Sequence, residues 1–252
     1  MPSTFPFLVA LISSGLLLKT ALFPLHFWLP PAHSSAPAPV SALLSALVIK
    51  SSFYILVRIW LNIFGPLSDG TVITLFGVLG AVAILWGSFQ ALRQTRLKLL
   101  VAYSTVAQVG YLILAFALAM GGGSSAWNAV VFLAFSHALA KSAMFLVVGN
   151  LLRFGGHDEI IHLDRIAQRL PMTAAAFALA GVSIIGLPLS GGFIGKYFLL
   201  EAALVQEQWW FVIILLTGSL LSAAYIFKVI SHVFTPSSTP HDAKIIPAYM
   251  EW

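Results

Sequence analysis

Lys19, Lys50, His137, Lys141 and Lys196 are basic residues that stand inside otherwise apolar stretches of this sequence. His137 and Lys141 are spaced i, i+4, which puts them on one face of a helix and one turn apart. Counted at 1.5 Å per residue, Lys50 lies about 15 Å into its stretch, close to the centre of a bilayer. An ionised lysine at that depth costs roughly 2.5–3.5 kcal/mol even on lenient insertion scales. Lys19, nearer the end of its stretch, can snorkel to the interface, whereas Lys50 has too far to reach. Low dielectric and a neighbouring like charge both favour the neutral form of an amine, so a row of such groups can exchange protons near neutral pH. The chemistry that this pattern allows is a proton relay. The competing role, in which each lysine pairs with an acid and only fixes packing, meets a shortage of acids. Asp69, Asp158, Glu159, Asp164, Glu201, Glu207, Asp242 and Glu251 all fall in loops, at helix ends or in the C-terminal tail.

The elements that must carry these groups are membrane helices. Of 252 residues, 60% are hydrophobic and 8% charged, against roughly 25% charged in a soluble domain. Seven apolar stretches reach the length of about 20 residues that crosses a hydrocarbon core: Phe5 to Leu25, Val40 to Phe64, Val72 to Leu92, Leu97 to Ala117, Ala126 to Leu152, Met172 to Leu204 and Trp209 to Phe234. The fold class expected is an all-α integral membrane protein of about seven transmembrane helices, two of them broken. Pro24 interrupts the first stretch just after Lys19. Gly186, Pro188, Gly191 and Gly192 interrupt the sixth, which is too long for one straight span, just before Lys196. Irregular backbone at membrane depth is tolerated where protein buries it or where it lines a cavity. Paired interrupted helices are the sequence mark of ion pathways in repeat-built transporters.

Lysine and arginine collect in the third-to-fourth loop (Arg93, Arg96, Lys98) and the fifth-to-sixth loop (Arg153, Arg165, Arg169), and are missing from Gly65 to Thr71 and Gly121 to Ser125. The positive-inside rule makes the charged loops cytoplasmic and puts the N-terminus on the other face. The first stretch lacks a basic leader and a small-residue cleavage site and reads as a retained helix. Tyr103, Tyr111, Trp127, Trp209 and Trp210 are assigned to interfacial aromatic belts. His157 and His162, with Asp158, Glu159 and Asp164, read as a solvated loop, and the residues after Phe234 as a polar, proline-rich tail.

Other chemistries find little support. With no cysteine the chain offers no thiolate for an iron–sulfur cluster and no disulfide. His26 and His33, in "PLHFWLPPAHSSAPAP", have no acid or cysteine beside them and read as polar groups at the mouth of a proton path; no metal and no cofactor is expected in this chain. A haem held by two histidines needs a mid-membrane pair, and only His137 qualifies. The formal charge of +5 comes from basic residues scattered singly, which argues against nucleic acid. "GGFIG" and "GGG" lack the lysine, strand and helix of a phosphate loop.

"KTALFPLHFWLPPAHSSAPAPVSALLSALVIKSSFYILVR", "KLLVAYSTVAQVGYL", "FSHALAKSAMFLVVGNLL" and "GLPLSGGFIGKYFLLEAAL" follow one another along nearly the whole chain. In that order they resemble the antiporter-like, proton-translocating membrane subunits shared by respiratory complex I, Mrp-type sodium/proton antiporters and membrane-bound hydrogenases. The resemblance implies two inverted five-helix repeats, each with a broken helix. Lys19 then matches the lysine on the broken helix of the first repeat and Lys50 the connecting lysine of the next helix. His137 and Lys141 match the central pair of the second repeat, and Lys196 the exit-side group on its broken helix, where some members carry glutamate. Family members have about six helices before the one that bears Lys19, including one with a glutamate thought to pair with that lysine. Residues 1–64 therefore correspond to the last two helices of a partial first repeat, 65–234 to a complete second repeat and 235–252 to the tail, as in a truncated or split subunit or part of a reading frame.

The function this implies is proton translocation within a multi-subunit complex of a prokaryotic cell (inner) membrane. Redox chemistry of the NADH:quinone oxidoreductase or hydrogenase type would sit in partner subunits, since the chain has no redox site of its own. The alternatives are a subunit of an Mrp-type Na+/H+ antiporter, with Na+ as a second ion, and a non-conducting assembly scaffold.

Overall fold

The apolar stretches form helices whose ends are set by proline, glycine and backbone turns. A computed structural model describes residues 5–65, 70–163 and 166–234. Pro66, Asp69, Asp164, Arg165 and the tail 235–252, with Asp242 and Glu251, lie outside the described residues. In chain order the helices are α1 (Phe5–Thr20), α2 (Leu29–Ser35), α3 (Ala38–Asn62), α4 (Gly70–Arg93), α5 (Leu97–Met120), α6 (Ser124–Gly155), α7 (Ile166–Arg169), α8 (Pro171–Ile185), α9 (Gly191–Val205) and α10 (Trp209–Val233). The described residues contain no strand, only an isolated bridge between Arg96 and Glu159.

Five of these helices, α3, α4, α5, α6 and α10, are long and apolar enough to cross a membrane, while α1 and α8 are shorter apolar helices. The first and sixth stretches are not single spans. α1 stops at Thr20, and Ala21 adopts a left-handed φ of 59°. The first break therefore opens before Pro24, which follows a cis peptide bond inside it. α8 ends at Gly186, whose φ of 83° lies in the region that favours glycine. Pro188 and Leu189 complete that turn, and the Ser190 hydroxyl accepts from the Phe193 N–H at 3.1 Å to start α9. Gly191 and Gly192 thus form the first turn of α9 and are not part of the break. The lack of a side chain at Gly192 lets its backbone lie against the Ser183 carbonyl.

α5 is buried along almost its entire length, as expected of a helix that is apolar all round. The outer helices turn apolar side chains outwards, with Phe135, Leu139, Leu179 and Leu220 more than 70% exposed, a surface suited to lipid. Because lipid supplies no hydrophobic drive between helices, close packing of small residues must hold them together. A Cβ on Gly80 would sit 2.8 Å from the Gly110 carbonyl oxygen, and one on Gly110 would sit 2.6 Å from the Gly80 oxygen, so α4 and α5 touch backbone to backbone.

The loop after α6, expected to be solvated, is only partly so. Asp158 is 2% exposed; its carboxylate accepts from Arg96 Nε at 2.9 Å and from the Lys98 N–H at 3.1 Å. Backbone bonds from Leu97 N to Asp158 O and from Ile160 N to Thr95 O join the same two loops. The loop is buried because it supplies the acceptors that the start of α5 lacks.

Candidate functional site

α3 is continuous, but residues Leu44–Val48 form a π-helical turn. The Ile49 N–H bonds the Leu44 carbonyl, one residue farther back than an α-helix would use. The Ser45 carbonyl that this N–H would otherwise fill receives the Lys50 ammonium instead. Lys50 also faces a groove of about 720 Å³ between α3 and α6, lined by Leu47, Tyr54, Val131, Phe135 and Leu139.

On α6, Lys141 is fully buried and donates to the Val101 carbonyl at 3.0 Å and to the Ser104 hydroxyl, both on α5. His137, one turn earlier, is 3% exposed, and neither ring nitrogen has a protein hydrogen-bond partner. Lys50, His137 and Lys141 lie close enough for their charges to interact. His33 is fully buried, stacked on Phe145 of α6 with ring centroids 4.3 Å apart, and it feels the charges of Lys141, Lys98 and Lys50. It therefore lies beside the row, inside the bundle. His26 sits in the turn before α2, stacked on Phe23.

Lys196 on α9 reaches back across the second break. Its ammonium donates to the carbonyls of Ile184 and Ile185 at 3.0 and 2.9 Å and to the Ser219 hydroxyl at 3.3 Å, and lies 4.5 Å from the centroid of the Tyr111 ring. Those carbonyls end α8 and have no partner in their own helix, so a cation there satisfies them and complements the helix dipole. A Cβ on Gly186 would come 2.7 Å from Lys196 Cδ; glycine serves both the turn and the passage of the lysine stem.

Lys19 stands apart. It is exposed on the last turn of α1, and no hydrogen bond or ion pair ties it to the described residues. Its neighbour Thr20 faces inwards and donates to the Ser52 hydroxyl at 3.1 Å.

Between Lys141 and Lys196 lies a set of polar side chains that the sequence reading missed. Tyr111, assigned to an interfacial belt, is instead fully buried mid-helix, because α5 is the centre of the bundle. Its hydroxyl donates to the Leu215 carbonyl and lies 3.4 Å from Ser219 Oγ. Tyr225, also fully buried, donates to Ser222 Oγ at 3.2 Å. Gln108 Nε2 donates to the Ile184 carbonyl at 3.4 Å. The signal was there: Ser104, Gln108 and Tyr111 on α5, and Ser219, Ser222 and Tyr225 on α10, recur at helical spacing and form one polar stripe on each helix. Among the described residues, no group of three His, Cys, Asp or Glu is placed to hold a metal.

The arrangement has counterparts. The family described as NADH:quinone oxidoreductase/Mrp antiporter, transmembrane, matches residues 2–222. An NADH-quinone oxidoreductase subunit N from Desulforudis audaxviator is 40% identical over 226 residues, covering 88% of this chain and 44% of that protein. A chain of the Mrp complex from Dietzia superposes with a TM-score of 0.89 at 27% identity, covering 97% of this chain and 45% of its own length. A chain of respiratory complex I from Thermus thermophilus gives 0.80 at 26% identity, with coverage of 100% and 54%. This chain thus spans about half the length of the relatives it matches.

Proposed function

Because the chain belongs to the NADH:quinone oxidoreductase/Mrp antiporter membrane family, we propose that it translocates protons along Lys50, His137, Lys141 and Lys196 as one membrane subunit of a larger complex. The observation that carries this reading is the chemistry of the partners. The lysines of the row, Lys50, Lys141 and Lys196, are held by neutral oxygens, the carbonyls of Ser45, Val101, Ile184 and Ile185 and the hydroxyls of Ser104 and Ser219. A carboxylate would lock each ammonium in its charged form; neutral acceptors leave it free to give up its proton. His137, with no fixed partner, is suited to pass a proton between Lys50 and Lys141.

The driving force on this reading comes from quinone-linked redox chemistry in partner subunits, with their cofactors held there. The 40% identity to a quinone oxidoreductase subunit favours it. A second reading, a subunit of a Na+/H+ antiporter, is favoured by the 0.89 superposition on a chain of the Mrp complex. Lys19, exposed on α1, would then face the remaining helices of the first repeat, of which residues 1–64 correspond to the last two. The charged loops, including Arg93, Arg96 and Arg153, are assigned to the cytoplasmic side of a prokaryotic inner membrane.

The test is the holocomplex, isolated through a tag on this chain and reconstituted in liposomes with a pH-sensitive dye. Co-purification of flavin or iron–sulfur subunits supports the redox-driven reading; small membrane subunits alone support the antiporter. Lys50→Ala and Lys196→Ala should each abolish coupled proton movement in assembled complex. Wild-type proton movement in both variants would rule out the relay.

A further inference from the structure

The groove between α3 and α6 leaves Lys50 open on one side. It measures about 720 Å³, and Lys50 is the charged residue in its lining. Ala46, Ala134 and Ala138 lie along it, while Leu47, Phe135 and Leu139 stand outwards at its rim, 59%, 71% and 74% exposed. On α3 the lining runs from Leu43 to Val57, so the groove extends about 21 Å along the helix. Arg58 follows immediately. Its guanidinium carbon lies 6.0 Å from the centroid of the Tyr54 ring, which is itself part of the groove wall. Arg58 is exposed, and no hydrogen bond or ion pair holds it to the described residues. We propose that the groove binds one acyl chain of an anionic phospholipid whose phosphate is held by Arg58.

The charge and its depth select this class of ligand. Arg58 stands one turn before Asn62, the end of α3, so its side chain snorkels to the headgroup level. There phosphate is the abundant anion, and a guanidinium takes phosphate through two parallel hydrogen bonds. The start of α3 lies by Lys98, which holds the Ala36 carbonyl. Arg58 therefore belongs to the opposite face, where Gly65 to Thr71 and Gly121 to Ser125 contain no lysine or arginine. An anionic headgroup also carries no ammonium of its own to compete with Arg58 for the phosphate. The dimensions agree. One leaflet of hydrocarbon is about 15 Å deep, half of a core of about 30 Å, and Lys50 lies about 12 Å along the helix from Arg58. A chain that starts at Arg58 therefore passes Lys50. A membrane helix is too bulky for the same space: at 10 Å across and 21 Å long it fills roughly 1,600 Å³, more than twice the groove.

The chain has a task at Lys50. The Lys50 ammonium is already held by the Ser45 carbonyl of its own helix, so hydrocarbon can pass it without supplying a polar group. By filling the groove the chain keeps water out of it and covers Lys50 where α3 and α6 do not, which confines a proton on Lys50 to partners inside the bundle. This insulating role rests on the reading that Lys50 belongs to a relay; the lipid site itself does not.

The experiment reconstitutes the holocomplex in liposomes that contain phosphatidylglycerol with a diazirine midway along one acyl chain, or phosphatidylcholine with the same chain, and maps the photolabelled residues by mass spectrometry. We expect label on the groove residues of α3 and α6, at least fivefold more from phosphatidylglycerol than from phosphatidylcholine. Arg58→Gln should bring the two lipids to the same level, and Ala138→Phe, which puts a ring into the groove, should abolish the label from both. If Arg58→Gln does not assemble, the comparison of the two lipids in the parent complex and Ala138→Phe still decide. Equal labelling of the parent by both lipids would mean that chains enter from the surrounding bilayer without selection, and an unlabelled groove that a helix of the complex covers it; either overturns the site. Selective labelling that survives Arg58→Gln would overturn the role of Arg58. Labelling is read without transport, so wild-type proton movement in Lys50→Ala would remove the relay and leave the lipid site standing.

Discussion

The Lys98 ammonium on α5 caps the carbonyl of Ala36, just past the end of α2, and reaches the Ser34 carbonyl at 3.5 Å. It thereby fixes the far side of the first break. Lys228 does the same for α4, donating to the carbonyls of Leu92 and Gln94 at 2.9 and 2.8 Å. These two lysines tie helix ends together, whereas Lys141 donates to the Val101 carbonyl and the Ser104 hydroxyl within α5. Replacing Lys98 by Met removes the donor from the part-buried carbonyls of Ser34 and Ala36, and a hydrogen bond from a charged donor contributes at most about 1.5–3 kcal/mol. The Lys98→Met chain should unfold at lower denaturant in a detergent titration monitored by circular dichroism. An unchanged midpoint would show that the cap contributes nothing.

Asp158 should matter more than its partner Arg96. The carboxylate serves both the Arg96 guanidinium and the Lys98 N–H and is itself 2% exposed, while Arg96 is 44% exposed in its side chain and retains water when the pair is broken. Asp158→Ala removes two bonds at the start of α5 and should lower stability by about 2–4 kcal/mol. Asp158→Asn, which keeps one acceptor oxygen, should recover part of that loss. The same titration decides: equal midpoints for Asp158→Ala and the parent chain would contradict the clamp.

How far the sequence could be read follows from what each feature depends on. Lys50, His137, Lys141 and Lys196 are legible because charge inside an apolar stretch is rare and costly. The two breaks are legible because proline and clustered glycine cannot continue a helix. Their edges are not: the first opens at Ala21, where no residue type announces a left-handed turn, and Gly191 and Gly192 turn out to begin a helix under the Ser190 cap. Tyr111 is hidden for another reason. Its distance from a helix end suggests an interface, but its place depends on α5 being the central helix, which is a property of the packing of all the others.

The contact of Gly80 with Gly110 supports the row at a distance, because Tyr111 is the next residue along α5. Gly110→Val would drive a side chain into the Gly80 carbonyl and the Ile84 backbone, and the close-packed interior leaves no room to yield. α4 and α5 should separate, with loss of folded chain from the membrane or a shift of Tyr111 out of its contacts. Immunoblotting of washed membranes, followed by proton movement in any surviving complex, should show Gly110→Val at well under a tenth of wild type. Gly15→Val is the control: a Cβ at Gly15 meets nothing within 4 Å, and that variant should accumulate normally.

His33 offers a test in which stability and function move in opposite directions. Its ring is fully buried on Phe145, and neither nitrogen has a protein hydrogen-bond partner. A buried polar atom without a partner costs about 1–3 kcal/mol, so a residue kept only for packing would be better as phenylalanine, which preserves the stacked ring. We predict that His33→Phe raises the unfolding midpoint. If His33 feeds protons to the neighbouring Lys50 and Lys141, the same substitution should slow proton movement several-fold, since phenylalanine has no site to carry one. A stabilised variant that moves protons at the wild-type rate would make His33 a packing residue and leave the row to receive its protons elsewhere. A destabilised variant would mean that the ring nitrogens are satisfied in the membrane, by water or by a partner subunit that reaches this part of the bundle.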